Sequence, residues 1–249
     1  MKHLKQIPSM VSSPLIITAS LALAAAAAAT TPTADTSLTT CLTSASVPFL
    51  LPSNRTWTSY ATTYNARLPY SPLAIVLPST TSHVSSAVLC ASARGVPVQA
   101  KSGGHSYASF SSGGNTDQST LVIDLENFQS IAIDKTSYVA AVGAGVRLGN
   151  LALGIYEQGK RALAHGTCPG VGIGGHFTHG GYGYSSRAYG LAMEQIVAVD
   201  VVLANGTFVK ASREEWSDVF WVCVPSSPAL MFPYPFSSRL AVFLAPLLS

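Results

Sequence analysis

Apolar residues fall in short continuous or alternating runs, with few long helical stripes. Leu73 to Leu77 is unbroken apolar and stops at Pro78, which predicts a buried strand. Ser79 or Thr80 then stands as an N-cap for a helix to about Arg94, with Val84, Val88 and Leu89 on one face and Gly95 as its stop. Val96 to Ala100 predicts the next strand, and the strand–helix–strand order implies parallel pairing. Leu121 to Asp124, Ile131 to Asp134 and Tyr138 to Val142 read as three further strands in a meander, broken by Gly143 and Gly145. Helical spacing of Leu148, Leu151 and Ile155 predicts a helix over Arg147 to Gln158. Ile196 to Leu203 and Thr207 to Lys210 predict a hairpin about the turn signal Asn205-Gly206. Ser212 predicts the cap of a helix over Arg213 to Val219, with Glu214 and Glu215 in its first turn. Upstream, the Ser/Thr-rich stretch from Thr36 to Tyr70 suits a short helix and an arm. The class is α+β.

The two ends carry different patterns. Lys2 and Lys5 precede an uncharged apolar run from Leu15 to Ala29, and small residues follow. This reads as a secretory signal peptide over 1–29, with cleavage between Ala27 and Ala34. The run is shorter than the ~20 residues a membrane span needs, so no membrane association is expected once it is removed. From 222 to 249 five prolines (Pro225, Pro228, Pro233, Pro235 and Pro246) punctuate apolar residues with no regular period. Prolines at that density exclude a membrane helix and a central strand.

Composition narrows the function classes. Of 249 residues, only 10% are charged and the formal net charge is +3, with basic residues scattered beyond the N-terminus. Nucleic-acid binding is therefore not expected. Secretion makes disulfides possible among Cys41, Cys90, Cys168 and Cys223. Two glycosylation sequons, at Asn54 and Asn205, agree with an extracellular location.

Two glycine-rich loops carry the candidate chemistry. Ser102-Gly103-Gly104-His105-Ser106 follows a predicted strand, where backbone N–H groups can converge on an anion. The second loop, between Thr167 and Gly183, holds Gly170, Gly172, Gly174, Gly175, Gly180, Gly181 and Gly183. Such a backbone can lie directly against a flat ligand or a diphosphate. Neither loop fits the GxxxxGK[ST] phosphate pattern, so nucleotide hydrolysis is not expected. The residues alone leave a nucleotide-type cofactor and a structural glycine loop both open. His165, Cys168, His176 and His179 lack the second ligand pair that a zinc site would want, so no metal is expected. Cys168 lies before Pro169, away from a helix start that would activate it as a nucleophile.

Lys101-Ser-Gly-Gly-His-Ser-Tyr107 resembles the histidyl-flavin motif of the berberine-bridge-enzyme-like oxidases, in the vanillyl-alcohol-oxidase/p-cresol-methylhydroxylase superfamily. Within it the glucooligosaccharide-oxidase branch is most similar. Cys168-Pro-Gly-Val-Gly-Ile-Gly-Gly-His176 resembles the cysteinyl-flavin motif, and Ser185 to Ala192 and Val201 to Gly206 resemble later signatures. The resemblance covers roughly Cys41 to Trp221. It implies an FAD-binding domain of two small α/β subdomains over 36–221, incomplete, with the substrate domain missing and 222–249 an aberrant tail. It implies FAD held covalently by His105 (to the 8α carbon) and Cys168 (to C6). Lys101, Ser102, Gly103, Gly104, Ser106, Val171, Gly172, Gly174, Gly175, His176, Gly180, Gly181 and Val197 are the further cofactor residues it implies. Val171 would sit near the flavin carbon where oxygen reacts. It also implies a Cys41–Cys90 disulfide. The activity implied is an oxidase of carbohydrates or other alcohols, with hydride passing to flavin N5 and O2 reduced to H2O2, in a monomer. The family's catalytic base, a C-terminal tyrosine, has no counterpart here, so a weakly active or inactive form is expected. The alternatives are a secreted non-catalytic flavin-binding module and a dehydrogenase of the same fold.

Overall fold

The computed structural model describes residues 36–113 and 119–224, together with the backbone of 242–246. The predicted signal peptide lies outside the described residues. The described residues form one compact unit built on two sheets. The N-terminal helix α1 (Thr36–Ser44) buries Leu38 and Leu42, four residues apart on one face. Strand β1 (Phe49–Leu50) and helix α2 (Trp57–Ala61) form the arm. Strand β2 (Ala74–Val76) follows, wholly buried. Helix α3 (Thr81–Ser92) starts where Thr80 Oγ1 accepts the His83 N–H at 3.2 Å, and Gly95, at φ +64°, lets the chain turn out of it. Leu89 departs from the expected face: Val84 and Val88 are buried, but Leu89 is half exposed against the turn at Gly206.

Strand β3 (Val98–Lys101) and strand β4 (Leu121–Asp124) complete the first sheet, in the order β1-β2-β4-β3. The last three are parallel and β1 is antiparallel at the edge. The predicted parallel unit is present, but β4 is inserted between its two strands. All four residues of β4 are buried, as a central parallel strand requires. The expected meander is corrected accordingly. β4 belongs to the first sheet, and β5 (Ile131–Ile133) and β6 (Val139–Val142) form a hairpin in the second.

Helix α4 (Leu148–Gly159) packs Leu148, Leu151 and Ile155 onto that second sheet. Helices α5 (Ile173–Phe177) and α6 (Ser186–Tyr189) punctuate the second glycine loop. The hairpin of β7 (Ala198–Val202) and β8 (Phe208–Ser212) turns at Gly206, φ +78°. Ser212 caps a turn and no helix there: its Oγ accepts from the N–H of Glu214 and Glu215, each at 3.1 Å. Helix α7 (Ser217–Cys223) begins later than expected and carries Phe220 and Cys223 into the second core.

The tail overturns one expectation. Val242–Pro246 forms strand β9, central in the second sheet, whose order is β5-β6-β9-β7-β8. It is antiparallel to both neighbours, Val139 to Val142 on one side and Ala198 to Asp200 on the other. The physical reason is local. Between Pro235 and Pro246 ten residues carry no proline, and Pro246 itself is the last residue of the strand. Only there is a ladder donor missing. The other four tail prolines lie before Arg239, outside the described residues.

Two hydrophobic cores result. One joins α1, α3 and the first sheet through Leu38, Val84, Leu121 and Ile123; the other joins α4, α5 and the second sheet through Leu151, Phe177, Val199 and Val201. Ala144 and Val202 reach from the second sheet's segments into the first core. A Cys41–Cys90 disulfide ties α1 to α3, with Cα atoms 5.8 Å apart.

Candidate cofactor site

The first glycine loop leaves the end of β3, and the second runs from Thr167 into α5. They meet backbone to backbone. A Cβ added at Gly103 would lie 2.2 Å from Gly172 N, and one at Gly172 would lie 2.1 Å from Gly103 N. Glycine is required at both because nothing larger than hydrogen fits between two main chains this close. Ser102 ties the crossing: its hydroxyl donates to Ala144 O at 2.5 Å and accepts the Gly174 N–H at 3.2 Å. Its one hydroxyl proton is thus spent on the scaffold.

Past that crossing the loop is open. The N–H groups of Gly104, His105 and Ser106 donate to no acceptor among the described residues, although the segment is half-buried. Consecutive unsatisfied donors of this kind call for an anion. Gly104, at φ +72°, supplies the left-handed backbone that exposes them. Ser106 Oγ accepts from Phe110 N–H at 3.1 Å, which closes the loop on a 3₁₀ turn over Phe110–Ser112. Ser109 Oγ, just before that turn, is buried with no hydrogen-bond partner among the described residues.

His105 stacks on Tyr64, ring centroids 4.2 Å apart, and its Nε2 lies 3.0 Å from where a Cβ on Gly170 would be. Burial lowers the imidazole's pKa, and the Arg147 guanidinium pushes in the same direction. The ring is thereby biased to the neutral form, whose free nitrogen is a nucleophile. Cys168, two residues before Gly170, is an exposed free thiol. The His105 ring therefore borders the second loop at Gly170, and Cys168 stands two residues earlier in that loop. Gly175 has open space where its Cβ would be, so a flat group can lie against that backbone.

Several predicted site residues do other work. The Lys101 side chain passes beside Gly104, its Cε 3.0 Å from where a Cβ there would lie, and its ammonium is 2.9 Å from the Asp124 carboxylate and 2.9 Å from Tyr60 O. Asp124 is 3% exposed; burial raises its pKa and the lysine's charge pulls it back. The pair anchors the ends of β3 and β4 to the arm. His176 Nε2 accepts the Gly166 N–H at 2.8 Å, fixing the start of the Cys168 segment, and burial lowers its pKa, followed by the nearby charge of His165. Gly180 and Gly181 adopt left-handed backbone and dock their carbonyls on Met193 and Ala192 N–H groups. Val171 packs against the second core, and Val197 is exposed at 42%. Among the described residues no group of three His, Cys, Asp or Glu side chains could hold a metal.

Sequence reasoning passed over Arg147. Its Nη1 donates to Gly103 O at 3.1 Å and to Gly170 O at 2.6 Å, so one nitrogen holds both loops. The available signal was its isolation, since no other charged residue occurs between Lys135 and Glu157. Tyr64 was also missed; nothing in the Ser/Thr-rich arm marks it.

Residues 72–212 match the FAD binding domain family. Xylooligosaccharide oxidase of Thermothelomyces thermophilus is 49% identical over 181 residues, which are 73% of this chain and 36% of that protein. The solved xylooligosaccharide oxidase from Myceliophthora thermophila C1, in complex with xylobiose, superposes with a TM-score of 0.76 at 42% identity, over 85% of this chain and 43% of that one. Glucooligosaccharide oxidase from Acremonium strictum, which carries a 6-S-cysteinyl, 8α-N1-histidyl FAD, superposes with a TM-score of 0.76 at 34% identity, over 86% of this chain and 43% of that one. This chain thus spans about two fifths of the length of the relatives it matches. The chain belongs to the FAD-binding-domain family that includes carbohydrate oxidases and berberine-bridge-enzyme-like proteins.

Proposed function

We propose that this chain is the cofactor-holding part of a secreted oxidase of carbohydrates or other alcohols, with FAD tethered through both His105 and Cys168. One observation carries the reading. Unpaired N–H donors and a neutral-biased imidazole border a glycine crossing whose second loop carries an exposed thiol two residues before Gly170. The flavin, when bound, would accept two electrons from an alcohol carbon and deliver them to O2 as H2O2. This chain's residues bind and orient it. Gly104, His105 and Ser106 offer N–H groups to the diphosphate, and Gly175 leaves room for the ring. Tyr64 holds the His105 imidazole in plane. Two tethers would retain the cofactor without burial, which suits an open site for a saccharide. The exposed Asn54 and Asn205 support secretion, since both sequons are accessible to glycosylation; an endoglycosidase mass shift on protein from a secreting host checks that. Among the described residues no helix is long and apolar enough to cross a membrane.

The test is acid precipitation of the flavin-loaded protein. The pellet should stay yellow, His105→Ala should leave one link at Cys168, and the double variant with Cys168→Ala should release all flavin. Loss of the colour from the unmodified protein would overturn the tethered reading.

A further inference from the structure

We propose that Arg147 is the positioning residue that sets the two tethering side chains at one distance, by holding the carbonyls of Gly103 and Gly170 with a single guanidinium nitrogen. The proposal rests on the reading that both His105 and Cys168 bond the flavin. The placement is symmetric along the chain. Gly103 is two residues before His105, and Gly170 is two residues after Cys168. Arg147 itself does not wander. Its backbone forms an isolated bridge with Gly172, through Leu148 N–H to Val171 O and Ile173 N–H to Val146 O, each at 2.9 Å. The residue is therefore fixed to the second loop by its main chain and to both loops by its side chain. Its bonds are charge-assisted, the stronger kind.

Each tether forms one bond. For His105, a ring nitrogen bonds the flavin 8α carbon, while one C–H and one N–H are lost. For Cys168, sulfur bonds C6, while one C–H and the S–H are lost. In each case both hydrogens and the electron pair reduce the flavin, and O2 reoxidises it with release of H2O2. The imidazole must be neutral to begin. Arg147 is the charged group acting on it, with the Tyr64 ring stacked against it and Tyr107 edge-on to Tyr64. Arg147 thus serves both attachments by geometry and the histidyl one by charge as well.

The experiment adds FAD to protein produced without flavin and follows covalent attachment by mass of the His105 and Cys168 peptides across pH. R147Q should lower the share of molecules carrying both links by on the order of 10–100-fold, the usual cost of misplacing reacting atoms. It should also move the pH midpoint of histidyl attachment upward, because the repelling charge is gone. R147K keeps the charge, so the midpoint should stay while the doubly linked share still falls. R147K also carries the test should R147Q fail to fold, as judged by thermal melting. Full double attachment in both folded variants would overturn the positioning role while leaving the tethered reading intact. An absence of any link in the unmodified protein would instead remove the reading beneath it.

Discussion

Replacing Gly103 with alanine tests whether the glycine crossing is the structural centre of the site. The new Cβ would lie 2.2 Å from Gly172 N, 2.7 Å from Gly172 Cα and 3.1 Å from Gly170 O. All three are main-chain atoms, so no side chain can rotate away. Restoring an ordinary contact of about 3.4 Å needs the loops to part by roughly 1.2 Å. The Arg147 bond to Gly103 O starts at 3.1 Å and the Ser102 bond from Gly174 N–H at 3.2 Å, so both would break. Overpacking typically costs ~1–3 kcal/mol and each lost hydrogen bond about 1 kcal/mol, which together give about 3–5 kcal/mol. For a domain of this size that is a fall in Tm of roughly 6–20 °C. Gly175→Ala is the control: open space surrounds its Cβ and alanine favours a helix, so flavin-free stability should hold or rise by up to ~1 kcal/mol. The assay is differential scanning fluorimetry on flavin-free protein. An unchanged Tm for Gly103→Ala would refute the claim that the loops touch.

Reducing the Cys41–Cys90 disulfide, which spans 49 residues, should remove about 4 kcal/mol on the chain-entropy account, read as a lower urea midpoint. Lys101→Met strands the buried Asp124 carboxylate and should cost about 3–5 kcal/mol at neutral pH. The deficit should shrink on acidification. Burial already holds Asp124 above the ordinary carboxylate range, so the folded state keeps its proton to higher pH than the unfolded chain, and this contribution is present at low pH and lost as pH rises through the folded value. A deficit that grows in acid would count against the pairing. Ending the chain at Val224 removes β9 and leaves β6 and β7 with unpaired edges. Hydrogen exchange should then accelerate in β5 to β8 while β2, β4 and β3 stay protected by their own core; equal protection throughout would show that β9 contributes nothing.

Much of this was legible along the chain. Continuous apolar runs announced β2 and β4, because strands buried on both faces need no polar side. Thr80, Gly95 and Gly206 marked their turns, since capping and left-handed backbone depend on one or two residues. The two glycine loops, with His105 and Cys168, stood out for the same reason: their chemistry is local. What sequence order could not decide was pairing. β4 slides between β2 and β3, the hairpin of β5 and β6 joins another sheet, and β9 enters from beyond a proline-rich stretch to fill a central slot. Strand partners are chosen by which buried faces and open edges remain after the whole chain has packed. The roles of the polar side chains were settled the same way. Lys101 turned to Asp124, Ser102 to Ala144, and Arg147 to two carbonyls far apart in sequence. A donor takes whichever acceptor the fold brings within about 3 Å, and that distance exists only in three dimensions.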